Sequence, residues 1–170
     1  MSTVPHGGYD PTMASDQSND ELIAILEATP RVLREIAASA ERAAFDKAWP
    51  GEWSPRTVLA HLRDDEFLVT RLRIERMLGE ERPMLMPFDE QAWAAGRWTG
   101  RDAVDELLDD FELQRAASLQ ILRRLGDAEW ARPGYQPEYG ELTVRTWAEH
   151  WVEHDLNHIG QLRAGLGLAG

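Results

Sequence analysis

Residues 143–167, "TVRTWAEHWVEHDLNHIGQLRAGLG", decide the fold, because they carry apolar side chains at helical spacing over about six turns. Thr143 is a typical helix N-cap. The helix has a single apolar stripe, which must be buried against other elements. This stretch therefore predicts one member of a helical bundle.

Three other stretches have the same amphipathic pattern and complete a set of four helices. The first contains Pro30, which is expected to kink that helix or to break it in two. The third begins with Thr99 and Asp102 at the spacing of a capping box. The stretches are "SNDELIAILEATPRVLREIAASAER" (18–42), "WSPRTVLAHLRDDEFLVTRLRIERMLG" (53–79) and "TGRDAVDELLDDFELQRAASLQILRRLG" (99–126).

The sequence predicts an all-α four-helix bundle, because no alternating strand of useful length is present. The segment 79–98 between the second and third helices is too long for a simple hairpin, so we expect a crossover, a lid, or both. Segment 126–142 is rich in aromatic residues and prolines that can line the mouth of a pocket. Residues 1–17 are predicted to be a flexible tail and 18–170 the folded domain.

Composition narrows the class of partner. The formal net charge of −12 disfavours nucleic acid and anionic membranes, so we expect a small-molecule or protein partner. The absence of cysteine excludes disulfides, thiolate ligands and a cysteine nucleophile. Neither a membrane span nor a targeting segment is evident, which predicts a cytoplasmic protein.

Three histidines four residues apart, His150, His154 and His158, suggest a metal site in the fourth helix. A straight helix cannot wrap all three around one ion, because His150 and His158 lie about 12 Å apart along the axis. The apolar stripe places His154 and His158 toward the bundle interior and His150 toward the rim or solvent. We therefore expect His150 to be dispensable for metal binding.

A third inward histidine is available on the second helix, where His61 lies on a face made by Val58, Leu62, Leu68, Val69 and Leu72. If the second and fourth helices are antiparallel, His61 comes level with His154 and His158, whereas parallel helices would separate them by roughly 8 to 13 Å. Three imidazoles with an open position suit a catalytic zinc, nickel or iron ion. The alternative is that these residues are ordinary core or surface histidines.

Two motifs, "WSPRTVLAHLRDDE" (53–66) and "WVEHDLNHIGQLR" (151–163), resemble the DinB/YfiT-like superfamily of small metal-dependent proteins. The resemblance covers residues 20–166 and implies a four-helix bundle with up-down-down-up topology. It also implies that His61, His154 and His158 bind a divalent metal. Relatives of this kind include transferases and isomerases that use a low-molecular-weight thiol, whose pKa the metal lowers.

Three further polar residues are candidates for the site. Asp65, one turn beyond His61, can orient a ligand imidazole or act as a general base. Arg115 on the third helix can anchor a substrate carboxylate, or it can simply pair with Asp65. Gln161, one turn past His158, can hydrogen-bond a ligand or pack at the helix end.

Trp93 and Trp98 lie in the long connection and are candidates for a substrate lid. The first hypothesis is thus a metal-dependent enzyme that activates water or an external thiol for attack on a small electrophilic substrate. Of these two reactions, the resemblance favours thiol transfer over hydrolysis. The second is a non-catalytic metal or small-ligand binder of a stress response. The third is a structural bundle that forms a homodimer and has a vestigial site.

Overall fold

The computed structural model describes residues 16–97 and 102–168. Residues 1–15 of the predicted tail lie outside this range, as do Trp98 and Thr99. The helices are α1 (Asn19–Ala38), α2 (Pro55–Asp65), α3 (Leu72–Gly79), α4 (Glu90–Gly96), α5 (Val104–Leu122), α6 (Asp127–Trp130) and α7 (Val144–Leu166), with a 3-10 turn at Arg42–Asp46 and a π-helical segment at Glu66–Arg71. The prediction of a mainly helical protein is confirmed.

The helix starts follow local hydrogen bonding. Ser18 and Glu21 form a capping box at the start of α1, which continues through Pro30, so the predicted break into two helices is wrong. The start of α5 at Val104 also differs from the predicted start near residue 99. Asp102 precedes the helix, whose N-cap is Ala103, and its carboxylate pairs with the Arg97 guanidinium.

Contacts along α1 set its direction relative to two partners. Arg34 pairs with Glu112 near the middle of α5 and Glu27 with Arg123 after its end, so α1 and α5 run in opposite directions. Thr29 Oγ1 donates to Asp155 Oδ2 at 2.8 Å, while the start of α1 contacts the start of α7. Helices α1 and α7 are therefore parallel.

The helix that contains His61 is antiparallel to α7. Pro55 at its start lies against Gly165 near the end of α7, and Thr70 further along accepts a hydrogen bond from Trp147 near the beginning of α7. This is the relative direction that brings His61 level with the histidine pair of α7.

The π-helical segment changes which side chains after His61 point into the bundle. Val69 is buried, but Leu68 and Leu72 are 47% and 50% exposed, so their predicted place on the inward face is wrong. A π turn closes through i→i+5 bonds and shifts the later side chains by about one residue around the axis. Thr70 and Arg73 consequently occupy the inward side.

A short antiparallel hairpin precedes α7. It pairs β1 (Pro133–Gln136) with β2 (Gly140–Thr143), and the positive φ of Gly140, 79°, suits its turn. The expectation of an all-α protein is wrong in this detail, because strands of four residues are too short to give a recognisable alternation. Thr143 ends β2 and also caps α7, so the hairpin fixes the start of that helix.

The core lies between the long helices and continues under the hairpin. Its largest fully buried apolar side chains include Trp151, Phe45, Phe111, Leu22, Leu26, Leu33, Leu62, Ile74, Met77, Leu85 and Leu107. Among the described residues, no helix combines the length and the apolar character needed to span a bilayer.

We predict that Gly134→Ala lowers the free energy of unfolding by about 1–3 kcal/mol through overpacking. An added Cβ would lie 2.9 Å from Met77 Sδ and 3.1 Å from Leu85 Cδ1 in the core beneath β1. Gly79→Ala is the control, because nothing lies within 4 Å of its added Cβ. Urea unfolding measures both variants, and equal stabilities would contradict the prediction.

Candidate metal centre

Three imidazoles converge between α2 and α7. His61 is completely buried on α2, and His154 and His158 lie one turn apart on α7. His61 Nε2 lies 3.0 Å from His154 Nε2, and one nitrogen from each of the three rings falls within 4.8 Å of the others. Ligands of a tetrahedral zinc ion, at about 2.05 Å from the metal, are about 3.3 Å apart. The three donors are thus close enough to share one ion.

In the two histidines of α7, the ring nitrogen Nδ1 faces a polar side chain of the same helix. His158 Nδ1 lies 2.8 Å from Gln161 Oε1, which leaves Nε2 of His158 as its metal-binding nitrogen. His154 Nδ1 lies 3.9 Å from Asp155 Oδ1, beyond hydrogen-bonding distance, and within the described residues His61 Nδ1 has no hydrogen-bond partner. Oxygen acceptors behind ligand imidazoles fix the ring orientation and favour the tautomer that presents its lone pair to a metal.

Burial controls the charge of the imidazoles. It lowers the pKa of His158 to about 3 and the pKa of His61 well below its ordinary value, and the neighbouring His154 contributes to both shifts. Burial also lowers the pKa of His154, but Asp155 and Asp65 outweigh it, so that pKa is raised overall. His61 and His158 are therefore neutral near pH 7, as metal ligands must be.

Two tryptophans lie against His61. The ring of Trp53 is 5.1 Å and that of Trp93 is 5.4 Å from the His61 ring, measured between centroids. Trp93 Nε1 donates to Asp64 Oδ2 at 3.1 Å. Trp93, a candidate lid residue, thus lies beside the histidines, whereas Trp98 is outside the described residues.

A cavity of about 520 Å³ opens on the His154 side of the cluster. Both long connections predicted to approach a pocket contribute to its wall. The lining residues are Asp65, Val69, Arg73, Pro87, Phe88, Asp89, Glu90, Gln91, Gln136, Glu138, Tyr139, Trp147, His150 and His154. The cavity is of the size that binds small molecules.

His150 occupies a different position from the one expected at the rim or in solvent. Its ring is partly buried, 4.8 Å from Tyr139 and 4.9 Å from Trp147 between centroids, and lines the cavity. Burial, with smaller contributions from His154 and Arg73, lowers its pKa to about 4. A helical wheel shows only the faces of α7 and not the hairpin that covers the His150 side of this helix. His150 is nevertheless outside the three-histidine group, as expected.

Asp65 lies at the inner end of the cavity, 7% exposed, as its place on the inward face suggested. Its Oδ2 accepts a hydrogen bond from Thr70 Oγ1 at 3.2 Å and is 3.7 Å from His154 Nε2. Burial raises the pKa of this carboxyl, although His154 and Arg73 oppose the shift. The carboxyl group is therefore within reach of a molecule bound beside His154.

Arg115 does not contact the cavity, and its predicted pairing with Asp65 is wrong. The guanidinium is 1% exposed and binds Glu66 at 2.9 Å and Asp155 at 2.7 Å. Its Nη1 also donates to the Leu26 carbonyl oxygen at 2.8 Å. With these partners inside the core, Arg115 has no access to a substrate, and its role is to hold Asp155 behind His154.

The fold and the site define a small helical protein with a histidine-lined centre of the kind that binds catalytic metals. The family model of the DinB superfamily matches residues 25–162. The chain belongs to the DinB superfamily, as the resemblance of its motifs indicated.

Individual relatives agree with this assignment. A Bacillus subtilis protein named "Putative metal-dependent hydrolase YfiT" is 27% identical over 97% of this chain and 96% of its own length. A Bacillus licheniformis protein with the same description is 29% identical, over 91% and 88%. The solved structure of YfiT, described as having "an unusual four-helix bundle topology", superposes with a TM-score of 0.79 at 26% identity, covering 97% of each chain.

Proposed function

We propose that this protein is a metal-dependent enzyme in which His61, His154 and His158 hold one divalent ion. The observation that carries the proposal is the convergence of three buried or half-buried imidazole nitrogens within 4.8 Å beside a cavity. Zinc, nickel and iron all suit three imidazole ligands. The names of the relatives support metal dependence.

The pairwise helix directions support the up-down-down-up order that the resemblance implied. In this order α2 is antiparallel to α7 and parallel to α5, as the contacts of Arg63 with Asp110 and of Glu66 with Arg115 require.

A cytoplasmic location and a homodimer remain predictions from the sequence.

A divalent ion bound by His61, His154 and His158 would supply a Lewis acid that lowers the pKa of water or a thiol toward neutrality. The chain itself supplies the remaining functions. Gln161 holds the His158 ring in its orientation by a hydrogen bond, and the Asp155 carboxylate lies 3.9 Å from His154 Nδ1. Asp65 Oδ2, with its raised pKa, is placed to accept a proton at the inner end of the cavity.

We favour hydrolysis of a small substrate, because the relatives are named as hydrolases. Transfer of an external low-molecular-weight thiol is the second candidate reaction. The absence of cysteine is compatible with it, since the chain has no thiol of its own for an electrophile to modify.

We predict metal-dependent turnover in a comparison of metal-loaded and chelator-treated protein. Both forms are incubated with amide and ester substrates, and with thiols plus small electrophiles, while product is measured by mass spectrometry. The loaded protein should form product in one arm, and treatment with chelator should remove that activity. Stoichiometric metal without turnover in any arm would instead favour the non-catalytic metal or small-ligand binder.

A further inference from the structure

Arg73 is a buried cation in the wall of the cavity. Its side chain is on α3, just after the π-helical segment, and is 7% exposed. The guanidinium carbon lies 4.6 Å from the centroid of the Trp147 ring, and Nη2 donates to the Met86 carbonyl oxygen at 2.6 Å. These two contacts hold the planar group in one orientation, with further N–H donors left over for a ligand.

The surroundings of Arg73 differ from those of the other deeply buried arginine. Arg115 is neutralised by two carboxylates at hydrogen-bonding distance. Within residues 16–97 and 102–168, no carboxylate forms a salt bridge with Arg73. Buried cations are usually paired, because an unpaired one loses its hydration without a compensating charge. Asp65, Glu138 and Glu90 favour the charged form of Arg73 without forming a salt bridge to it, so an anion in the cavity would be its first direct ionic partner.

The charge of the cavity favours a single negative charge at its inner end. With a divalent ion on the histidines, the ion and Arg73 together outweigh the Asp65 carboxylate. Asp89, Glu90 and Glu138 also line the cavity and oppose an anion. Asp89 and Glu138 are exposed, so solvent screens them more strongly than it screens Arg73, whereas Glu90 is partly buried and retains more of its repulsion. This distribution suits a monoanion and disfavours a polyanion.

We propose that Arg73 binds the carboxylate of a small monoanionic substrate whose reacting group lies at the three-histidine centre. The inference rests on the proposed function and adds to it the chemical class of the substrate. Arginine suits this role because its N–H groups match the two oxygens of a carboxylate. Trp147 supports the guanidinium from one side, and the cavity leaves space beside it.

The test compares two thiols of equal length, 3-mercaptopropionate and 3-mercaptopropionamide, on the metal-loaded protein. Both can ligate the metal through sulfur, but only the first carries a carboxylate. Isothermal titration calorimetry gives the two dissociation constants. We expect the carboxylate to bind about 10-fold or more tightly than the amide, as a charge-assisted hydrogen bond to a buried cation allows.

Substitutions assign this preference to Arg73. In Arg73→Gln the ratio of the two dissociation constants should fall to about 1, with metal content unchanged. Arg73→Lys keeps the charge but loses the planar fork, so it should retain part of the preference, and it replaces the glutamine variant if that one does not fold. Arg76→Gln removes the same charge from the same helix outside the cavity and should preserve the full ratio.

Two results would overturn the inference: equal binding of the two thiols by the wild type, or a preference that persists in the Arg73 variants. Either result can occur in protein that binds metal stoichiometrically, and the proposed metal centre would then stand. Failure of the wild type to bind metal would contradict the proposed function first, and this inference with it. Measuring metal content before the titrations separates the two cases.

Discussion

His61→Ala is expected to lower the metal affinity by at least about 100-fold and to abolish metal-dependent turnover. Loss of this residue removes one of three nitrogen donors and leaves a pair on one helix, which cannot enclose an ion. The effect should exceed the 10–100-fold losses typical of substitutions behind the ligands. Metal analysis of dialysed protein and competition with a chromogenic chelator measure the change.

His150→Ala is the matched control for this experiment. The residue is also a partly buried histidine of α7 and lines the same cavity, but it lies outside the three-nitrogen group. The variant should retain stoichiometric metal. If it loses the ion while His61→Ala keeps it, the assignment of the ligands is wrong. Thermal unfolding in the presence of chelator shows whether either substitution affects the fold itself.

Arg115→Met is expected to lower the free energy of unfolding by about 3–5 kcal/mol. The substitution conserves much of the buried volume but leaves Glu66 and Asp155, both with 1% exposed side chains, without their cation. The corresponding fall in Tm is roughly 6–20 °C for a domain of this size. Urea and thermal unfolding of chelator-treated protein measure this effect without a contribution from metal binding.

Arg34→Met provides the control for stability, because it also removes an arginine that pairs with two carboxylates. Arg34 and its partners Asp109 and Glu112 are well exposed, so the loss should stay within about 1 kcal/mol. Adding Glu66→Gln and Asp155→Asn to Arg115→Met should restore part of the stability by removing the unpaired charges. Similar losses for the two arginine variants would contradict a special role for the buried group.

The sequence was sufficient to predict the long helices and the convergence of the histidines. Apolar periodicity and caps such as Ser54 reflect local chemistry, which the chain carries in full. His61 was identified because it is the one histidine outside the tail and the last helix. Its position relative to His154 and His158 depended on the relative direction of two helices, which helical spacing left open and the resemblance to the DinB/YfiT-like superfamily supplied.

Features that depend on distant parts of the chain were harder to predict. Arg115 was expected either to anchor a substrate or to pair with Asp65, because a helical wheel gives the direction of a side chain but does not reveal which acidic residues meet it. Glu66 and Asp155 come from two other helices, and their pairing exists only in the folded bundle. His150 was misplaced for the same reason, since Tyr139 reaches it from the hairpin.

The π-helical segment Glu66–Arg71 divides one continuous helix into two registers. Up to Asp65, the register serves the histidine centre, and from the π-helical turns onward the helix carries the cavity-lining side chains Val69 and Arg73. Thr70 connects the two parts of this helix to their surroundings. Its hydroxyl donates a hydrogen bond to Asp65 five residues earlier, and its carbonyl oxygen accepts one from Trp147 on α7. The π-helical segment therefore allows the direction of Arg73 toward the cavity to differ from the one that an unbroken α-helix would set relative to His61.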